Sequence, residues 1–260
     1  MKKRGQATIF IIIAIVIVAI IISLIVFKNS STKENQGAEY FKSQGLQPSI
    51  NNIQDFIIDC LETTSKDALI KIGLQGGYNN PPELSHDMEW NFIPYYYSQG
   101  QLLMPDQSKI ESELSSFINE NLDSCISGIQ FQGFQMSYPQ PQTQSTINTK
   151  TTTFKTELPV IIKHGDSTTT FELAQHEVSI DSKLKDIIEV AEYITDSHKE
   201  DSQLICVNCL VEMTKEKDIY VDFISFSEDT TLVMILENKT MSEPYIFEFL
   251  NKYTIEPITP

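Results

Sequence analysis

The sequence predicts an α+β protein, with one N-terminal transmembrane helix and then a mixed ectodomain of about three helices packed on a mainly antiparallel sheet. Three observations carry that expectation. Ala7 to Phe27 is a run of 21 residues without a charge, and about 20 apolar residues rising about 1.5 Å each match a hydrocarbon core of about 30 Å. Three later stretches repeat apolar residues at the helical period. The strand-forming stretches between and after them lack βαβ alternation, which separates them from a parallel α/β design.

The N-terminal span contains only Thr8 and Ser23 as polar residues, and both hydroxyls can bond back to helix carbonyls. Lys2, Lys3 and Arg4 precede it and only Lys28 follows at once, so the basic bias places the N-terminus in the cytosol and the C-terminal domain outside the cell membrane. The chain therefore divides into a charged leader at 1–6, a transmembrane helix at 7–27, a tether at 28–48 and an extracytoplasmic domain at 49–260. The tether is expected to be flexible because its stretch NSSTKENQGAEYFKSQGLQP is rich in Ser, Asn, Gln and Gly.

Lys3-Arg4-Gly5-Gln6 ahead of the apolar run resembles the class III signal peptides of archaeal type IV pilin-like proteins. That resemblance implies a prepilin-type peptidase as a partner, cutting after Gly5 and leaving Gln6 as the new N-terminus. Two features depart from a filament subunit. Phe10 stands where many pilins carry a glutamate, and the tether interrupts the helix that in pilins runs on into the head. The ectodomain, through Ile70-Lys71-Ile72-Gly73-Leu74-Gln75-Gly76-Gly77-Tyr78, Ile93-Pro94-Tyr95-Tyr96-Tyr97 and Pro244-Tyr245-Ile246-Phe247-Glu248-Phe249, is similar to an uncharacterised archaeal group of membrane-anchored surface proteins. The similarity implies no activity.

The first soluble helix is expected over Ser49 to Ile72, where Ile53, Phe56, Ile57, Cys60, Leu61, Ala68, Leu69 and Ile72 share a face and Gly73 offers a stop. The glycine pair Gly76-Gly77 makes a tight exit from it. Trp90 to Tyr97 and Leu102 to Met104, around a glycine-bearing loop, predict a hairpin. His86-Asp87-Met88-Glu89 before it is expected to be a solvated loop. Ser108 and Glu111 form a capping box for a second helix over Ser108 to Ile126. In Gly128 to Tyr138 the alternation changes phase at Gln132-Gly133, which predicts a bulged strand. Ser145 to Thr156, Leu158 to Lys163 and Ser167 to Leu173 predict long strands turned at His164-Gly165-Asp166, with Gln175 to Ile180 extending them. A third helix starts at Asp181 or Ser182 and carries Leu184, Ile187, Ile188, Ala191 and Ile194 on one face. Leu210 to Lys217 is only a weak helix former. Asp218 to Phe226, Thr231 to Leu236 and Tyr245 to Leu250 complete the strands.

Charge limits the partners. Without the four cations up to Lys28, 15 of the 19 remain against 35 acids, a net charge of −20. Such a surface repels nucleic acid and anionic headgroups, and with Arg4 the sole arginine the domain has no bidentate grip on phosphate or carboxylate. The expected contacts are the bilayer, through Ala7 to Phe27, and a surface protein or glycan.

Cys60 and Cys125 lie on the apolar stripes of two helices and can face each other, which leaves Cys206 to pair with Cys209. Other pairings or buried thiols are the alternatives. Cys206-Val207-Asn208-Cys209 reads as a local disulfide, with a zinc half-site or a redox dithiol as competing readings. His86, His164, His176 and His198 stand singly, a poor arrangement for structural zinc. A thioredoxin-like site would need Cys206 at the start of a helix. Gly-x-Ser-x-Gly, His-Glu-x-x-His, a phosphate loop and a dinucleotide fingerprint are all missing, so no catalytic residue, metal or cofactor is assigned. Trp90, Tyr95, Tyr96 and Tyr97 are the candidate ligand or partner surface, part of it core. Asn29 and Asn238 head two glycosylation sequons. The role expected is display and recognition at the cell surface, with a processed pilin-like subunit and an extracytoplasmic thiol oxidoreductase using Cys206 and Cys209 as alternatives.

Overall fold

The computed structural model describes residues 49–128, 131, 133–200, 205–237 and 245–253, the side chains of 199 and 200 excepted. The leader, span and tether expected up to residue 48, with Gly5, Gln6 and Asn29, lie outside these residues, as does Asn238. Among the described residues no helix is long and apolar enough to cross a membrane. The architecture is α+β.

In chain order the described elements are α1 (Ile50–Leu74), β1 (Ser85–Asp87), β2 (Phe92–Ser98), β3 (Gln101–Leu102), α2 (Gln107–Ser127), β4 (Phe134–Ser137), β5 (Gln142–Ile147) and β6 (Thr151–Glu157). There follow β7 (Pro159–His164), β8 (Ser167–Glu172), a 3-10 turn (Leu173–Gln175), β9 (Val178–Asp181), α3 (Leu184–Glu200), α4 (Val207–Lys217), β10 (Tyr220–Ser227), β11 (Thr230–Glu237) and β12 (Tyr245–Lys252). The strands form one large sheet of order β1-β2-β12-β11-β10 with β3 attached to β2, and two three-stranded sheets, β4-β7-β8 and β5-β6-β9. All pairings are antiparallel except β2 with β12.

The core lies between α1, α2 and one face of the large sheet. The α1 stripe from Ile53 to Ile72 and the α2 residues Ile110, Leu114, Phe117, Ile118, Leu122 and Ile126 are buried, as the helical period requires. Cys60 is bonded to Cys125 across this seam. From the sheet come Phe247, Phe249, Val233, Ile235 and Tyr96, whose ring stacks on Phe249 at 4.2 Å. The Tyr96 hydroxyl donates to the Gly76 carbonyl at 2.9 Å, so its buried polar end is satisfied. At Gly73 a side chain would run into the Ile246 carbonyl and the Tyr245 ring; the missing Cβ lets α1 lie directly on β12.

The α2 helix also closes the edge of β5. Glu111 Oε1 accepts from Ile147 N–H at 2.8 Å, Ser115 Oγ from Ser145 N–H at 3.0 Å and Asn119 Oδ1 from Thr143 N–H at 2.8 Å. Four residues of helix rise about 6 Å and two residues of strand about 6.7 Å, so a polar stripe at every fourth position can stand in for a neighbouring strand. This protects an edge that would otherwise offer its N–H groups to another chain.

Several expectations are corrected. The α2 cap is Asp106, which accepts from Lys109 N–H at 2.7 Å; the Ser108 hydroxyl instead donates to Asp106, and Glu111 is engaged by Ile147. His86 and Asp87 belong to edge strand β1, not to a loop. The phase change near Gly133 is a turn, with Phe134 N–H donating to the Phe131 carbonyl, and among the described residues of this stretch the strand is Phe134–Ser137. Ser145 to Thr156 is not one strand: β5 and β6 are a hairpin whose turn is closed by Asn148 N–H to the Thr151 carbonyl at 2.8 Å. The weak segment after Cys206 is a full helix, α4, so four helices are described rather than three.

Candidate functional site

The aromatic cluster singled out in the sequence is divided by the fold. Tyr96 and Tyr97 are buried and Tyr95 is half-buried, while Trp90 is 77% exposed in the loop before β2. That loop is tied to the end of α1: Asn91 accepts from Gln75 Nε2 at 2.7 Å and donates to the Leu74 carbonyl at 3.2 Å. Strand alternation separates Tyr96 from its neighbours as expected, so the four aromatic residues do not make one surface.

A larger apolar surface lies on the other face of the large sheet. Register fixes its members. Met234 sits opposite Glu248 on β12 and Asp222 on β10; Leu232 opposite Leu250 and Ile224; Leu236 opposite Ile246 and Tyr220. These residues point away from the α1 face, where Val233, Ile235, Phe247 and Phe249 are buried. On the outer face Leu250 is fully buried, Leu232, Met234, Leu236 and Ile246 are half-buried, and Tyr220, Ile224 and Phe226 on the edge strand are exposed. The face is curled. Four strand spacings of about 4.8 Å would hold β1 and β10 about 19 Å apart in a flat sheet, yet the His86 and Phe226 rings meet edge-on at 4.8 Å. Opposite edges therefore approach each other over a concave apolar surface.

Glu248 is the acid at the middle of this surface. It makes no hydrogen bond or ion pair among the described residues, and burial raises its carboxyl above the usual carboxylate range. Asp222, one strand farther out beyond Met234, accepts from Phe223 N–H at 2.9 Å. The sequence signal for this surface was the run Thr231-Leu232-Val233-Met234-Ile235-Leu236. A strand apolar at consecutive positions is apolar on both faces.

The second group is Cys206 and Cys209, which are bonded to each other. Cys206 is the N-cap of α4, and its Sγ accepts from Cys209 N–H at 3.3 Å. Both cysteines are exposed, as are Val207 at 61% and Val211 at 56%, one helical turn apart. Leu210 is buried and holds the helix down. Its far end is fixed by Lys183, which donates to the Lys217 and Asp218 carbonyls at 2.9 and 3.1 Å. Lys217 is bound in turn by Asp186 at 2.8 Å and Glu189 at 2.6 Å. Burial alone would lower the Lys217 ammonium, but these two carboxylates outweigh it and raise it. The two disulfides differ in mechanical value. The Cys60–Cys125 bridge spans 65 residues and is worth about 4 kcal/mol on the chain-entropy model, whereas a bridge across three residues is worth about 2 kcal/mol at most.

The four histidines stay apart. His198 is buried against Asn251 Nδ2, 2.8 Å from its Nδ1, and burial holds its imidazole below the usual range. His164 stacks on Phe134 and His176 packs near Phe171. Among the described residues no group of three or more His, Cys, Asp and Glu could hold a metal ion. Neither a family model, nor a curated protein, nor a solved structure matches the chain.

Proposed function

We propose that this chain is a membrane-anchored recognition module. Residues 7–27 hold it in the bilayer with the N-terminus in the cytosol, and the folded part is displayed outside. The concave face of the large sheet receives a protein partner whose apolar segment carries one lysine. The observation that supports this reading is Glu248: a carboxylate with no hydrogen bond or ion pair among the described residues, partly withdrawn from water, between the half-buried apolar side chains Met234 and Ile246 on the outer sheet face. Exposed apolar side chains grouped on one face, here Tyr220, Ile224 and Phe226, are a feature of interaction sites, and a half-buried carboxylate beside them rewards one cation on the partner.

Peptide display against the folded protein tests the partner chemistry. Wild type is expected to select apolar peptides with one fixed Lys or Arg, and Glu248→Gln to lose that basic position, with about tenfold weaker binding of the wild-type winners. An unchanged basic preference in the variant, or no enrichment at all, would overturn the assignment. Glu248→Gln has a companion signature in stability. The folded carboxyl holds its proton to higher pH than the unfolded one, so the contribution of this one group to stability is fully present below about 4.3 and is lost as pH rises through the folded value; the difference between wild type and variant carries that loss.

Display outside the cell is tested on intact cells carrying an epitope after Pro260. Added protease should remove the epitope without permeabilisation; protection until the membrane is opened would overturn the topology. The intact mass of the native protein reports the leader. Loss of Met1 to Gly5 would favour the processed, pilin-like form, and their retention the plain anchor.

A further inference from the structure

We infer that Cys206–Cys209 is a thiol–disulfide exchange site that accepts electrons from a dithiol in another polypeptide. As a staple it contributes little, because it closes only the loop from 206 to 209, while the long bridge from Cys60 to Cys125 joins the two core helices. Its setting serves chemistry better. Both sulfurs are at the surface, on the first turn of an 11-residue helix. When the bond is reduced, the helix N-terminus and Cys209 N–H, 3.3 Å from Cys206 Sγ, favour the thiolate on Cys206. Stabilising the reduced form makes the disulfide the more oxidising partner. Val207 and Val211, both exposed on the same side of α4, offer an apolar landing place beside the sulfurs for a loosely folded chain.

The exchange balances without a further reagent. A substrate thiolate attacks Cys206 Sγ and forms a mixed disulfide; the Cys206–Cys209 bond breaks, and Cys209 leaves as a thiolate that takes up a proton. The second substrate thiol loses its proton and attacks the substrate sulfur of the mixed disulfide. Cys206 leaves as the stabilised thiolate. The substrate dithiol has lost two electrons and become a disulfide, and the Cys206–Cys209 pair has gained them.

The test mixes oxidised full-length protein in detergent with an equimolar reduced peptide carrying two cysteines at pH 7, followed by alkylation and mass mapping. Peptide oxidation is expected together with two new alkylatable thiols at Cys206 and Cys209, Cys60–Cys125 remaining intact. Cys206 in the reduced protein should alkylate with an apparent pKa at least about one unit below the ordinary thiol value of about 8.5. With the disulfide form of the peptide, Cys209→Ser should trap a mixed disulfide through Cys206, and Cys206→Ser should react at least about tenfold more slowly. A Val207→Asp, Val211→Asp double variant should slow the peptide about tenfold and leave the rate with glutathione unchanged. No transfer to the wild-type protein, equal rates for the two serine variants, or reduction only after unfolding would overturn the proposal.

Discussion

Replacing Cys60 and Cys125 together by alanine is expected to lower the unfolding free energy by about 4 kcal/mol. The bridge restricts an unfolded loop that spans 65 residues, and the entropy removed from the unfolded chain grows with the logarithm of loop length. Its site in the folded state adds to the effect, because Cys60 is buried in the seam where α1 meets α2. Guanidinium denaturation under non-reducing conditions measures the difference. A loss below about 1 kcal/mol would mean that the helix stripes alone hold the seam. Removing the Cys206–Cys209 bond in the same background should cost about 2 kcal/mol or less, since that loop is short and exposed.

Gly76→Ala is the second large effect, expected to destabilise by about 3 kcal/mol and to lower Tm by about 6–12 °C. Two penalties coincide. Gly76 has φ +51°, a conformation that costs a residue with a Cβ about 1–2 kcal/mol. The added methyl would also stand 2.6 Å from both the Glu248 carbonyl oxygen and Pro94 Cγ, where overpacking costs about 1–3 kcal/mol. Gly100→Ala separates the two contributions. Gly100 has φ +83° but nothing within 4 Å of the added atom, so only the backbone penalty applies. Equal losses at the two positions would show that β2 and β12 yield easily to the methyl at Gly76.

Much of the helical layer was legible because burial and period coincide in it. The stripes from Ile53 to Ile72 and from Ile110 to Ile126 are continuous, and Ser49 caps the first of them. What failed was governed by distant partners. Ser108 and Glu111 have the spacing of a capping box, but Glu111 is taken by Ile147 N–H, 36 residues away, and Asp106 is left as the cap. The α4 segment is a poor helix former alone. It is stabilised from outside, by burial of Leu210 and by Lys183 across its C-terminal carbonyls. Of the sites, the cysteine pair was visible as a motif, but its place at a helix start was not. The concave face was hidden for another reason: the apolar strands were readable, whereas the order that curls them depends on pairings between residues far apart in sequence.

The parallel pairing of β2 with β12 bears on how the molecule comes into being. The strand that joins β1-β2 to β10-β11 is the last one described, beginning at Tyr245. Until the ribosome has delivered it, the large sheet exists only as two fragments with a gap between them. A nascent chain cut short before that strand cannot bring its halves together, however complete its helices are. Ordering of the sheet thus waits on Tyr245–Lys252, and the slow search typical of contacts between distant segments begins only after β1, β2, β10 and β11 have all been made.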